Sequence, residues 1–167
     1  MLSPNIFGIS SIRSSILALT VVALTAQWPV KMLLVHPEAP FLQNRRLTIA
    51  ADCAVLSNEN LGGRFRKGET VIIGCPLLED PDRMMSKLLL VMKETAAQDV
   101  EVYTMEVPCC HAIHMMMSKA RAESLKTGIN AKHYIVRVSS GEVEPYKLGV
   151  IDESMISAER KAHGHAH

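Results

Sequence analysis

Short apolar runs rich in β-branched residues alternate along the middle of this chain with stretches of helical periodicity, and the alternation predicts its fold. Pro29 opens Val30-Lys31-Met32-Leu33-Leu34-Val35, a strand candidate stopped by His36-Pro37-Glu38-Ala39-Pro40. Leu47 to Ala51 is the next strand, and Glu69 to Gly74 follows as a buried one around Val71-Ile72-Ile73. The connection over 54–68 suits a short helix or a functional loop ending at Gly68. Asp80-Pro81 supplies an N-cap carboxylate and a proline at the first helical position. Met84, Leu88, Val91 and Met92 form the apolar stripe of the helix it starts.

The same alternation continues with Val100 to Met105 as a strand closed by Pro108. A second helix is expected from about Cys110 to Thr127, with Ile113, Met116, Met117 and Ala120 inward and Gly128 as its C-cap. His133 to Val138 reads as a final strong strand, and Ser140-Gly141 turns it into a hairpin over Glu142 to Val150. Strand, helix, strand, helix, strand is the mark of right-handed crossovers. The expected class is α/β: three layers, a mostly parallel sheet with helices on both faces, and a C-terminal antiparallel hairpin.

Composition narrows the class of function. A chain of 167 residues is long enough for one domain with a real core and short for two. With 48% hydrophobic and 21% charged residues, it is a soluble globular chain by composition. A formal net charge of +1 gives no electrostatic case for nucleic acid, and 4% aromatics offer few stacking platforms. The ten methionines fall largely at helical spacing and read as core filler. Three regions follow: 1–26, an apolar leader or N-terminal helix; 27–155, the α/β domain; and 156–167, a polar His-rich tail.

Arg13 and the run Ile16 to Ala26 resemble the basic and apolar parts of a secretory signal. That run is too short for a stable membrane span, which needs about 20 apolar residues. The cysteines point instead to a reducing, cytoplasmic setting, export being the alternative if 1–26 is a signal peptide. Four in 167 residues are too sparse for a disulfide scaffold. Cys109 and Cys110 are neighbours, with Cα atoms about 3.8 Å apart, so a bridge between them would be strained.

Position makes the cysteines chemical candidates. Cys53, Cys75 and the pair Cys109-Cys110 each stand at or just after a predicted strand. In a parallel sheet those strand ends share one edge, where open α/β folds bind ligands. The spacing C-x21-C-x33-C-C contains no C-x-x-C zinc knuckle and no compact ferredoxin run. Adjacent residues aim their side chains differently, which disfavours one tetrahedral ion and favours a polynuclear iron–sulfur cluster, expected as [4Fe–4S]. Zinc or nickel is the alternative, held by Cys109, Cys110, His111 and His114 in a structural or assembly subunit. A thiol enzyme built on Cys109 ranks last, since no base is placed for it.

Other features point less far. His163, His165 and His167 could pick up nickel or zinc, although a solvated tail explains them. Arg64, Arg66 and Lys67 beside Gly62-Gly63 could grip a phosphate or an acidic partner, or simply face water. Asp52 and Glu106, at strand ends shortly before cysteines, could tune charge or cap a loop. No G-x-G-x-x-G follows any strand, and no P-loop or nucleophile elbow is present.

Several segments carry a resemblance. They are Gln27-Trp28-Pro29-Val30, Pro40-Phe41, Ala50-Ala51-Asp52-Cys53, Lys67-Gly68, Ile73-Gly74-Cys75-Pro76, Leu78-Glu79-Asp80 and Met105-Glu106-Val107-Pro108-Cys109-Cys110. In this order, from Gln27 to about Met117, they resemble the C-terminal domain of anaerobe-type ferredoxin-like, 4Fe-4S-binding iron–sulfur proteins. The resemblance implies a cytoplasmic redox protein with these cysteines at its binding edge. This chain carries neither C-x-x-C-x-x-C-x-x-x-C-P run of that family's N-terminal ferredoxin module. A separate ferredoxin or redox enzyme subunit is then the expected electron partner. His111 and His114 stand where small or apolar residues would be expected, and could modify ligation or protonation.

Overall fold

A computed structural model describes residues 27–126 and 128–147; the leader, the His-rich tail and the far end of the expected hairpin lie outside the described residues. Five strands form one sheet: β1 (Arg46–Ala51), β2 (Thr70–Gly74), β3 (Asp99–Met105), β4 (Asn130–Val136) and β5 (Val143–Pro145). Their order is β2-β1-β3-β4-β5. The first four are parallel, and β5 returns antiparallel to β4 after Gly141, whose φ of 70° suits the turn. The mixed α/β class with a C-terminal antiparallel pair is therefore the observed one.

The helices are α1 (Asp52–Ser57), α2 (Glu59–Arg66), α3 (Pro81–Glu94) and α4 (Pro108–Glu123). The chain steps from β1 outward to β2, then back across β1 to β3. Right-handed connections in opposite directions must use opposite faces, so α2 lies on one side and α3 and α4 on the other. Side-chain contacts agree: Arg64 of α2 reaches Thr48 and Glu101, while His114 of α4 meets Thr104 and His133.

The start of α3 follows from its sequence. Asp80 Oδ1 accepts from the amides of Asp82 and Arg83, both at 3.0 Å, and Pro81 occupies the position where no amide is needed. Its buried residues are Met84, Leu88, Val91 and Met92, the stripe that periodicity predicts. Leu47, Ile49, Val100 and Val102 supply the sheet side of this core, all 1% exposed or less.

Two expectations fail. Val30 to Val35 is not a strand: only Lys31 bridges Ile73, and Met32–Leu34 winds into a 3-10 turn. Beyond Lys31 the segment has no strand to pair with, because β2 ends at Gly74 and the Cys75 carbonyl accepts from Leu78 and Glu79 instead. Met32 and Val35, three residues apart and both buried, suit a three-residue turn rather than a strand alternating between faces. The second correction is at α4, which begins earlier and ends at Glu123, not Thr127. Leu125, at φ 59°, makes the left-handed turn that Gly128 was expected to make.

Leu125 is 84% exposed, so its side chain contributes little packing there. Leu125→Gly should stabilise the domain by roughly 0.5–1 kcal/mol, the relieved left-handed strain being partly offset by a more flexible unfolded chain. Thermal melting checks it; a lower melting temperature would contradict it.

Candidate functional site at the carboxyl edge of the sheet

β1, β2 and β3 are adjacent and parallel, so their carboxyl ends open onto one rim. Ala51 pairs with Gly74 in register, and Ala50 with Tyr103. Cys53 therefore sits two residues beyond one strand end and Cys75 one residue beyond its neighbour. Cys109 and Cys110 occupy the first turn of α4, directly after β3. The strand order reverses between β1 and β3, where open sheets leave a crevice. All four cysteines are free, and they grade from exposed Cys53 through half-buried Cys75 and Cys109 to buried Cys110.

Cys110 is 3% exposed. Burial pushes its thiol up to about 12, with the nearby Cys109 and Cys53 adding to the rise and a backbone hydrogen bond at Met105 opposing it. Without a bound cation it keeps its proton at neutral pH. Coordination by a soft metal reverses this by replacing the proton.

A charged strut crosses the same rim. The amide of Ile73 donates to the Val30 carbonyl at 2.9 Å, fixing Lys31 against the outer edge of β2. Lys31 Nζ donates to Asp52 Oδ2 at 2.6 Å and also pairs with Glu79. Glu79 is set by the turn after Cys75, whose carbonyl accepts from the Leu78 and Glu79 amides. Asp52 Oδ1 and Glu79 Oε2 are buried without a hydrogen-bond partner among the described residues. Glu106 instead ties a loop: Arg137 pairs with it at 2.6 Å and the Val138 amide at 2.8 Å, holding its carboxyl below the usual range.

The two histidines do not join the thiols. His114 is 1% exposed; its Nε2 meets Thr104 Oγ1 at 2.8 Å and its Nδ1 meets His133 Nδ1 at 2.9 Å. Tyr146 stacks on its ring at 4.3 Å and bonds His111 Nδ1 at 2.7 Å. Among the described residues, no three His, Cys, Asp or Glu side chains are grouped closely enough to hold a metal ion. Burial of His114 was legible, since 110, 113, 114 and 117 share one helical face. Its partners His133, Thr104 and Tyr146 carry no local signal, nor do Lys31 and Glu79.

The Arg64 guanidinium is engaged within the domain. It pairs with Glu101 and donates to Tyr103 Oη at 2.9 Å. An open depression of about 730 Å³ lies at the opposite edge of the sheet, lined by residues including Arg45, Gln98, Asp99, Lys126 and Asn130. It holds no thiol or imidazole, so the reactive groups single out the carboxyl rim.

A model of the Rossmann-like domain family matches residues 39–166. The chain belongs to that family. A similar protein, an uncharacterised one from Archaeoglobus fulgidus, is 58% identical over 140 residues, which cover 83% of this chain and 96% of the relative. No solved structure matches the chain. These findings correct the ferredoxin-like, 4Fe-4S-binding resemblance: the matching family is Rossmann-like, and neither comparison indicates a ferredoxin. In dinucleotide-binding Rossmann folds the turn after the first strand is glycine-rich. In this Rossmann-like domain it reads Ala51-Asp52-Cys53-Ala54, with a carboxylate and a thiol in place of glycines. Among the described residues no helix is long and apolar enough to cross a membrane.

Proposed function

We propose that this Rossmann-like domain is a redox module whose carboxyl rim holds an iron–sulfur cluster, with Cys53, Cys75, Cys109 and Cys110 as ligands, and exchanges electrons with a separate redox protein. One observation carries the reading: four free cysteines from three distant stretches of chain stand at the ends of three adjacent strands. No family resemblance is needed for it.

The donor set favours a cluster over a single ion. Sulfurs around one zinc each lie about 2.3 Å from the metal and crowd together. His111 and His114, the imidazoles a zinc or nickel site would need, are committed to Tyr146, Thr104 and His133. A cluster presents several irons over a wider surface and accepts neighbouring thiolates. The first turn of α4 adds amide groups that favour thiolate charge. When bound, the cluster would supply one-electron chemistry, and the four cysteines would hold it.

The test is reconstitution with iron and sulfide under anaerobic conditions, for wild type and for single serine variants of Cys53, Cys75 and Cys109. Wild type should acquire a broad visible charge-transfer absorption. Each variant should lose most of the iron or change the electron paramagnetic resonance of the reduced form. Identical spectra for wild type and all three variants would contradict the assignment.

A further inference from the structure

Lys31 is the feature of the rim that cysteine chemistry alone does not explain. Its backbone is anchored on the outer edge of β2, yet its side chain crosses the end of that strand to the end of β1. There it meets Asp52, the residue before Cys53, and Glu79, which closes the turn begun by Cys75. The three side chains are 36%, 26% and 13% exposed, so the pairs are partly withdrawn from water. Such pairs are screened less than surface pairs. Without the ammonium, two half-buried carboxylates would face each other across the gap between the cysteine-bearing turns.

We propose that Lys31 is the positioning residue of the thiol rim: its ammonium, shared by Asp52 and Glu79, locks the turn carrying Cys53 against the turn carrying Cys75. It touches no ligand itself. It sets the separation of two thiols and places a positive charge beside whatever they hold. The consequence for a bound cluster rests on the reading above; the consequence for the two turns does not.

The geometry adds a structural check at Gly74. A Cβ there would come within 2.8 Å of Met84 Cε and 3.6 Å of Glu79 Oε2. The end of β2 is thus close-packed against the tip of Met84, while Glu79 lies over it at ordinary van der Waals distance.

The experiment compares wild type with Lys31→Met, Lys31→Arg and Glu79→Gln. Amide hydrogen exchange is first measured on the metal-free full chain. Lys31→Met should speed exchange in 52–57 and 75–79 by about tenfold or more, with β3 and β4 unchanged. Lys31→Arg should restore most of the protection. Glu79→Gln, which keeps the shape and removes one charge, should loosen 75–79 and serves if the methionine variant does not fold. After reconstitution, Lys31→Met should lower the midpoint potential, because a positive charge that favours the reduced form is gone, and Lys31→Arg should bring it back. Unchanged exchange in both turns, or equal exchange throughout the chain, overturns the proposal. If wild type takes up no cluster, the exchange result still decides Lys31 while the cluster reading fails by itself.

Discussion

Stability should fall steeply as pH drops from about 6.5, well before most carboxylates titrate. His114 and His133 are buried neutral: burial first, then the neighbouring His133 and His111, lowers His114 to about 3. Burial and then Arg121 lower His133 to about 4. Unfolded imidazoles titrate near 6.5, so between 6.5 and about 3 the unfolded chain binds protons that the folded one refuses. The contribution is fully present above pH 6.5 and is lost on acidification, at up to about 1.4 kcal/mol per pH unit for each histidine. The total is several kcal/mol, a large part of the 5–15 kcal/mol typical of a domain.

Geometry gives the same answer. In the 2.9 Å contact between the two Nδ1 atoms one must donate and the other accept, so a second proton would set two donors face to face. Against burial, Arg64 holds the Glu101 carboxyl below the usual carboxylate range, and Arg137 does the same for Glu106, so both add their loss only at lower pH. The interval from pH 6.5 to 5 therefore isolates the imidazoles. Urea unfolding at half-unit steps should show the decline, and His114→Leu should flatten it while lowering stability at pH 7. Parallel curves for wild type and variant would contradict this.

Arg64→Met should destabilise the domain by about 2–4 kcal/mol, slightly under the range for a fully buried pair because both partners keep some water contact. Arg64 and Glu101 side chains are only 24% and 15% exposed. The substitution strands the Glu101 carboxylate and takes a donor from Tyr103 Oη, which itself donates to Glu101 at 3.0 Å. It also removes a guanidinium lying 5.0 Å over the Tyr103 ring, itself stacked on Tyr134 at 4.8 Å. Adding Glu101→Leu should recover much of the loss, because an apolar pair avoids the cost of an unpaired buried charge. Denaturant titrations of the single and double variants measure the coupling. Single variants within 0.5 kcal/mol of wild type would show the cluster to be surface decoration.

What could be read beforehand follows how local each determinant is. Asp80-Pro81 and the stripe Met84, Leu88, Val91 and Met92 lie within one helix, so periodicity located them. The cysteine rim was legible because strand direction, once parallel pairing is assumed, orders the ends. Val30 to Val35 misled because its apolar content was right for either a strand or a buried turn. The end of β2 at Gly74, one residue past the Lys31 bridge, decides between them. Arg64 with Glu101, Lys31 with Asp52 and His114 with His133 are pairs 37, 21 and 19 residues apart. No window of sequence contains both partners in a recognisable spacing. Polar residues at such positions read as solvated until the fold brings their counterparts in.

The most direct measurement of the thiol rim is elemental: iron, acid-labile sulfide and zinc per chain in native protein purified without oxygen. A bound cluster predicts brown protein with iron and sulfide in equal amounts and no stoichiometric zinc. Zinc without sulfide, or colourless protein whose four cysteines all alkylate after reconstitution, would contradict it.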